Sequence, residues 1–230
     1  MRLLTKQFVV SALFLGLAAS ALKARDLAGI AREAKDIFVS QQASSEAIPV
    51  GALARAKAIG IIKVYEGGLV IGGSAGEGVI LARTPHGWSA PVFFHQGGTQ
   101  IGAQAGVHVQ EYIYIINSEE ALRTFTGSER SQFRSLAQYT GSTEFDETDL
   151  SDGLPPEKGL LVYVRKDGLF AGATLGDIIV GASAGANHKA YGDVPVAEIL
   201  GGDVPAPEYA KPLQAALGKA ASRKGLSKDK

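Results

Sequence analysis

The sequence predicts an α+β fold: a strongly curved, barrel-like antiparallel sheet flanked by helices at the N-terminus, middle and C-terminus. Three observations carry this. From Ile59 onward the apolar spacing changes from helical to short β-rich runs broken by glycine. From Gln100 to Ile115 apolar and polar or small residues alternate with a period of two. Helical spacing appears before, between and after these runs.

The segment 25–39 places Leu27, Ile30, Ala31, Ala34, Ile37 and Phe38 on one face, and the spacing predicts a helix. After the polar joint SQQASSEA, the stretch IPVGALARAKAIG predicts a short second helix with Pro49 near its start. The runs AIGIIKVY, GLVIGGS, EGVILAR and APVFFHQ, separated by EGG, AG and TPHG, predict an antiparallel meander.

In the segment from Gln100, Ile101, Ala103, Ala105, Val107, Val109, Ile113 and Ile115 share one face, and Gly and Ala on both faces suit a strong bend. Glu111 falls on the apolar face. Such a carboxylate belongs either at a bulge or rim facing water, the favoured reading, or in a buried functional position.

NSEEALRTF predicts a helix capped by Asn117 or Ser118, with Glu119 and Glu120 at its positive end. Residues 126–158 are polar, end in Pro155-Pro156 and predict a long loop; their acids lack the ordered spacing of a calcium loop. Asp167-Gly168 between apolar runs predicts a hairpin turn. A last helix is expected around Pro212–Ala221, followed by a basic tail over 222–230.

The N-terminus reads as a secretory signal peptide over residues 1–24: Arg2 and Lys6, an apolar run from Phe8 to Ala19, then Ala19-Ser20-Ala21, with Ala24 as an alternative end point; the rival reading is an uncleaved N-terminal anchor. The whole chain has a net charge of zero and so shows no global preference for nucleic acid; the remaining chain would carry 20 basic and 23 acidic residues, a net charge of −3, which gives no strong general attraction to anionic lipid. The absence of cysteine excludes disulfides and thiol catalysis.

Gly72-Gly73-Ser74-Ala75-Gly76 and Gly181-Ala182-Ser183-Ala184-Gly185 both fit G-x-S-x-G. That motif is a nucleophile elbow only where a strand precedes the serine and a helix follows it. After Ser74 the chain is β-rich, so the run reads as a glycine-rich turn. His86, His95, His108 and His188 have no metal-ligand spacing. No P-loop or dinucleotide fingerprint occurs. The expectation is a non-enzyme with no cofactor and no metal.

Taken together, IPVGALARAKAIGIIKV, GGLVIGGSAGEGVILAR, GWSAPVFF, QIGAQAGVHVQEYIYIIN and GLFAGATLGDIIV resemble the SYLF domain, a family of lipid-binding domains, from about Ala28 to Leu217, which implies one domain over 25–221. The resemblance implies an exported domain that associates with phospholipid or a membrane surface, in the periplasm or cell envelope of a bacterium. It implies lipid contact through the N-terminal helix: Ile30, Ile37 and Phe38 would insert, with Arg32 and Lys35 meeting headgroups. Trp88 is a further candidate anchor. The alternative is a protein-interaction or scaffold domain whose lipid affinity is incidental. The family usually carries another small-residue-rich strand after the helix near Phe125; here GSERSQFRSLAQYTGSTEFDETDLSDGL stands in its place.

Overall fold

A computed structural model describes residues 26–45, 47–126, 131–134 and 160–222. Helix α1 (Leu27–Ala43) begins at Asp26, whose side chain accepts from the Gly29 N–H, the arrangement that Asp favours at an N-cap. Helix α2 is Val50–Arg55. Three long strands follow: β1 (Ala58–Thr84), β3 (Val92–Ile116) and β5 (Leu160–Ala182), with the two-residue β2 (Gly87–Trp88) between the first two. Helix α3 (Glu119–Thr126) and strand β4 (Ser131–Arg134) lie between β3 and β5. The chain closes with α4 (Ala184–Tyr191), α5 (Val196–Gly201), a 3-10 turn at Glu208–Ala210 and α6 (Lys211–Ala221).

The sheet is antiparallel, in the order β2-β1-β3-β5-β4. The α+β class is as expected, but the sheet is not closed into a barrel: its ladder has two ends, β2 and β4. It folds over on itself instead. Tyr114 Oη donates to Gln96 Oε1 at 2.5 Å within one strand. Eighteen residues of straight strand would hold them roughly 60 Å apart. The two ends of β1 also meet, with Arg83 N–H donating to Lys57 O at 2.7 Å.

Glycine makes this possible. A Cβ on Gly78 would lie 2.2 Å from Ile61 O, and one on Gly76 would lie 2.3 Å from Lys63 O. The second half of β1 thus rests backbone on backbone against its first half, where no side chain fits.

Several turns expected from the sequence are absent. EGG and AG lie inside β1, so the run 58–84 is one bent strand and not a meander of short ones. Asp167-Gly168 is no hairpin turn: both residues lie within β5, opposite Val109 and His108. The TPHG turn is real and joins β1 to β2, with Gly87 at φ 126°. The signal peptide, the acidic loop apart from β4, and the tail beyond Ser222 lie outside the described residues.

The core divides by strand parity. Odd residues Ile59, Ile61, Val79, Leu81, Phe93, Ile113, Ile115 and Leu161 pack with α1, α2 and α6. Even residues Ile62, Val64, Ile80, Phe94, Tyr112, Tyr114, Ile116 and Val180 pack with Phe125 of α3 and with Ile199 and Leu200 of α5. The even face is the inside of the fold, where Tyr112 and Tyr114 stack at 5.8 Å and Phe125 packs at 4.9 Å from Tyr114.

Two polar devices fix helices to the sheet. Arg83 donates to Leu53 O (2.6 Å) and Ala56 O (3.0 Å), satisfying carbonyls at the end of α2, and its guanidinium sits 4.5 Å over the Trp88 ring. Buried Asn187 of α4 pairs with the Phe93 backbone in both directions, each bond 2.8 Å.

Candidate functional site

The odd face of the sheet begins apolar and turns charged. Rows Ile59–Ile115–Leu161 and Ile61–Ile113–Tyr163 lie under the helices. The next row is Lys63–Glu111–Arg165, three residues directly opposite one another on adjacent strands. Cross-strand neighbours of alternating sign attract. Arg165 is ion-paired with Glu111, whose side chain is only 12% exposed. The register through Glu111 is unbroken, so no bulge turns it to water.

Helix α1 covers this row. Its apolar stripe, Ile30, Ala31, Ala34, Ile37 and Phe38, is buried, and so is the polar Gln41. The neighbouring stripe, Gly29, Arg32, Glu33, Asp36 and Ser40, follows the spacing of one helix face and borders an open cleft of about 300 Å³. Lys63, Glu111 and Arg165 form its floor. Glu33 reaches down to Lys63 at 3.3 Å. Asp36 is paired with Lys35 at 2.8 Å.

The residues expected to contact lipid are distributed differently. Ile30, Ile37 and Phe38 are 4%, 5% and 1% exposed and belong to the core cluster on the odd face. Trp88 joins the same cluster, under Arg83. Arg32 is exposed at the cleft, and Lys35 is half-buried beside Asp36. The structure therefore gathers the four apolar residues in the interior and brings Arg32 to the cleft. Lys63 and Arg165 escaped the sequence reading. Their signal was a charge on the apolar parity of each strand, which Glu111 alone was seen to carry.

Ser74 lies inside β1 opposite Gly98, with strand on both sides, so it is not an elbow. Ser183 does stand between β5 and α4, and His188 Nδ1 lies 3.0 Å from Asp193 Oδ1. Yet positions five apart on a helix point to different sides. No hydrogen bond joins Ser183 to His188, and Ser183 has ordinary extended angles, φ −83° and ψ 92°. Among the described residues no three His, Asp or Glu side chains gather as a metal site, and no helix is long and apolar enough to cross a membrane.

A family model described as Ysc84, Las17-binding protein actin regulator, matches residues 97–220. Protein YSC84 of Saccharomyces cerevisiae is 34% identical over 180 residues, 74% of this chain and 37% of that protein. SH3 domain-containing protein PJ696.02 of Schizosaccharomyces pombe is 32% identical over 182 residues, covering 76% and 41%. SH3 domain-containing YSC84-like protein 1 of Homo sapiens is 29% identical over 194 residues, covering 83% and 56%. The chain thus spans between about a third and three fifths of the length of these relatives. No solved structure matches. The matched region takes in most of β3, all of β5 and α3 to α6, the frame that carries Glu111 and Arg165, and the chain belongs to the Ysc84 (SYLF) family.

Proposed function

We propose that this domain is a non-enzymatic protein-interaction module whose contact surface includes the α1 cleft. One observation carries the reading. The apolar stripe of α1 is taken up by the core, so apart from Val39, 48% exposed, the groups α1 offers outward are charged and polar, as suits a protein surface better than acyl chains. Family membership supports it, since the relatives' family is described as Las17-binding actin regulators. The test is a photo-crosslinking residue at exposed Ser40, on the rim of the cleft, in cells that produce the protein. A reproducible protein adduct is expected. Adducts confined to lipid would overturn the reading.

Phospholipid contact by an exported domain is the second reading. Exposed Arg32 favours it as an electrostatic contact without insertion of Ile30, Ile37 or Phe38. Sedimentation with anionic vesicles across a salt series tests it, and binding should fall as salt rises. The mass of the protein recovered from the cell envelope would show whether residues 1–24 are removed.

A further inference from the structure

The cleft is crowded with charge, and the charges are unequally engaged. Glu33 is paired with Lys63, Glu111 with Arg165, and Asp36 with Lys35. Among the described residues Arg32 has no hydrogen bond and no ion pair. The lining residues balance, three cations against three carboxylates, but Asp36 is paired with Lys35 outside the cleft, so among the described residues the Arg32 guanidinium is left without a partner. Arg165 keeps 41% of its side chain exposed, so its fork is not used up by Glu111.

We propose that the cleft is a carboxylate-recognition subsite that takes an Asp or Glu side chain from an acidic segment of a protein partner. The inference rests on the protein-interaction reading and names the partner's chemistry. An unpaired guanidinium matches a carboxylate bidentately. The volume, about 300 Å³, suits one or two side chains and not a large ligand. Charge number favours a monoanion: one unpaired guanidinium balances one carboxylate. A phosphate near two negative charges would leave one of them unmatched beside Glu33, Asp36 and Glu111.

The experiment is a titration of the isotopically labelled protein, followed by NMR, with acetyl-Gly-Glu-Glu-Gly-amide. The glutamine analogue and inorganic phosphate are run beside it. Saturable shifts are expected at the amides of Gly29, Arg32, Ser40 and Glu111, with an affinity on the order of millimolar. The glutamine peptide should give none. Arg32→Gln, at an exposed residue with no hydrogen bond or ion pair among the described residues, should weaken binding by about fivefold or more. Glu33→Gln, which frees Lys63, should tighten it by about two- to fivefold. Equal shifts from the glutamine peptide, phosphate binding in preference to the glutamate peptide, or an unchanged titration in Arg32→Gln would each overturn the proposal. A protein adduct at Ser40 that is indifferent to Arg32→Gln leaves the interaction reading standing while this one fails. Peptide binding without any cellular adduct does the reverse.

Discussion

Replacing Gly78 by Ala tests the fold-over of the sheet directly. The added methyl would sit 2.2 Å from Ile61 O, 2.6 Å from Ile62 Cβ and 2.7 Å from Ile62 Cα. These atoms cannot retreat cheaply. Ile61 and Ile62 are held in the ladder with Ile113 and Tyr112, and their side chains, 0% and 1% exposed, fill the two opposite clusters. Two effects oppose. Alanine restricts the unfolded chain more than glycine and favours folding by about 0.5–1 kcal/mol. Overpacking a close-packed site costs about 1–3 kcal/mol, and contact with backbone puts this site at the upper end. The net expectation is a loss of about 2–2.5 kcal/mol. With an m-value of about 2 kcal/mol/M in urea, the unfolding midpoint falls by about 1–1.25 M. Gly218→Ala in α6, where the methyl meets nothing within 4 Å, is the control and should gain about 0.5–1 kcal/mol. A Gly78→Ala midpoint within about 0.3 M of wild type, with an unchanged m-value, would refute backbone contact between the two halves of β1.

Arg83→Ala should cost about 1–3 kcal/mol by chemical unfolding, because it uncaps Leu53 O and Ala56 O and removes the cation over Trp88; Arg83→Lys should recover only part of it. Asn187→Ala should cost about 2–3 kcal/mol, since it strips the side-chain partner from a buried Phe93 N–H and a second donor from its carbonyl. Burial pushes the phenols of Tyr114, Tyr191, Tyr163 and Tyr209 above their ordinary range. Their contribution is fully present below about pH 10, where unfolded tyrosine begins to ionise, and is lost as pH rises beyond it. Stability should therefore fall as pH rises above about 10, by up to about 1.4 kcal/mol per pH unit from the fully buried Tyr114 and by less from the others, and Tyr114→Phe should flatten the slope.

What could be read from the sequence was whatever a local pattern fixes. Helix α1 was legible because one apolar stripe recurs over four turns, and α6 and α3 for the same reason; Ser118 Oγ does accept from Ala121 N–H at the start of α3. The identity of strand was legible, but its continuity was not. Glycine inside a strand and glycine in a turn look alike locally, and Gly76 and Gly78 are required by a contact with residues 61–64 that no window of sequence contains. Asp167-Gly168 carries a strong turn signal, yet pairing with β3 holds it extended. Helices α4 and α5 and strand β4 are short and weakly patterned, and were not foreseen. Of the cleft, Glu111 was visible as an odd charge on an apolar face. Its partners needed the register, which sets Lys63 and Arg165 on either side of it. The helix face assigned to lipid was correctly located as apolar, and the structure directs it to the sheet.

The bend in β1 has a consequence for how this family can gain and lose residues. Between Leu69 and Ile71 the pairing with β3 shifts from Ala105 to Ile101, so β3 contains two residues more than β1 around the bend. Two is an even number, and the odd residues on both sides of the bend still face α1, α2 and α6. One residue more or fewer would send the second half of the strand to the opposite cluster, exchanging Val79 and Leu81 for Gly78 and Ile80. Insertions and deletions near the glycine-rich bends should therefore be accepted in pairs and rejected singly. Length variation among relatives at this place would then be quantised by the pleat.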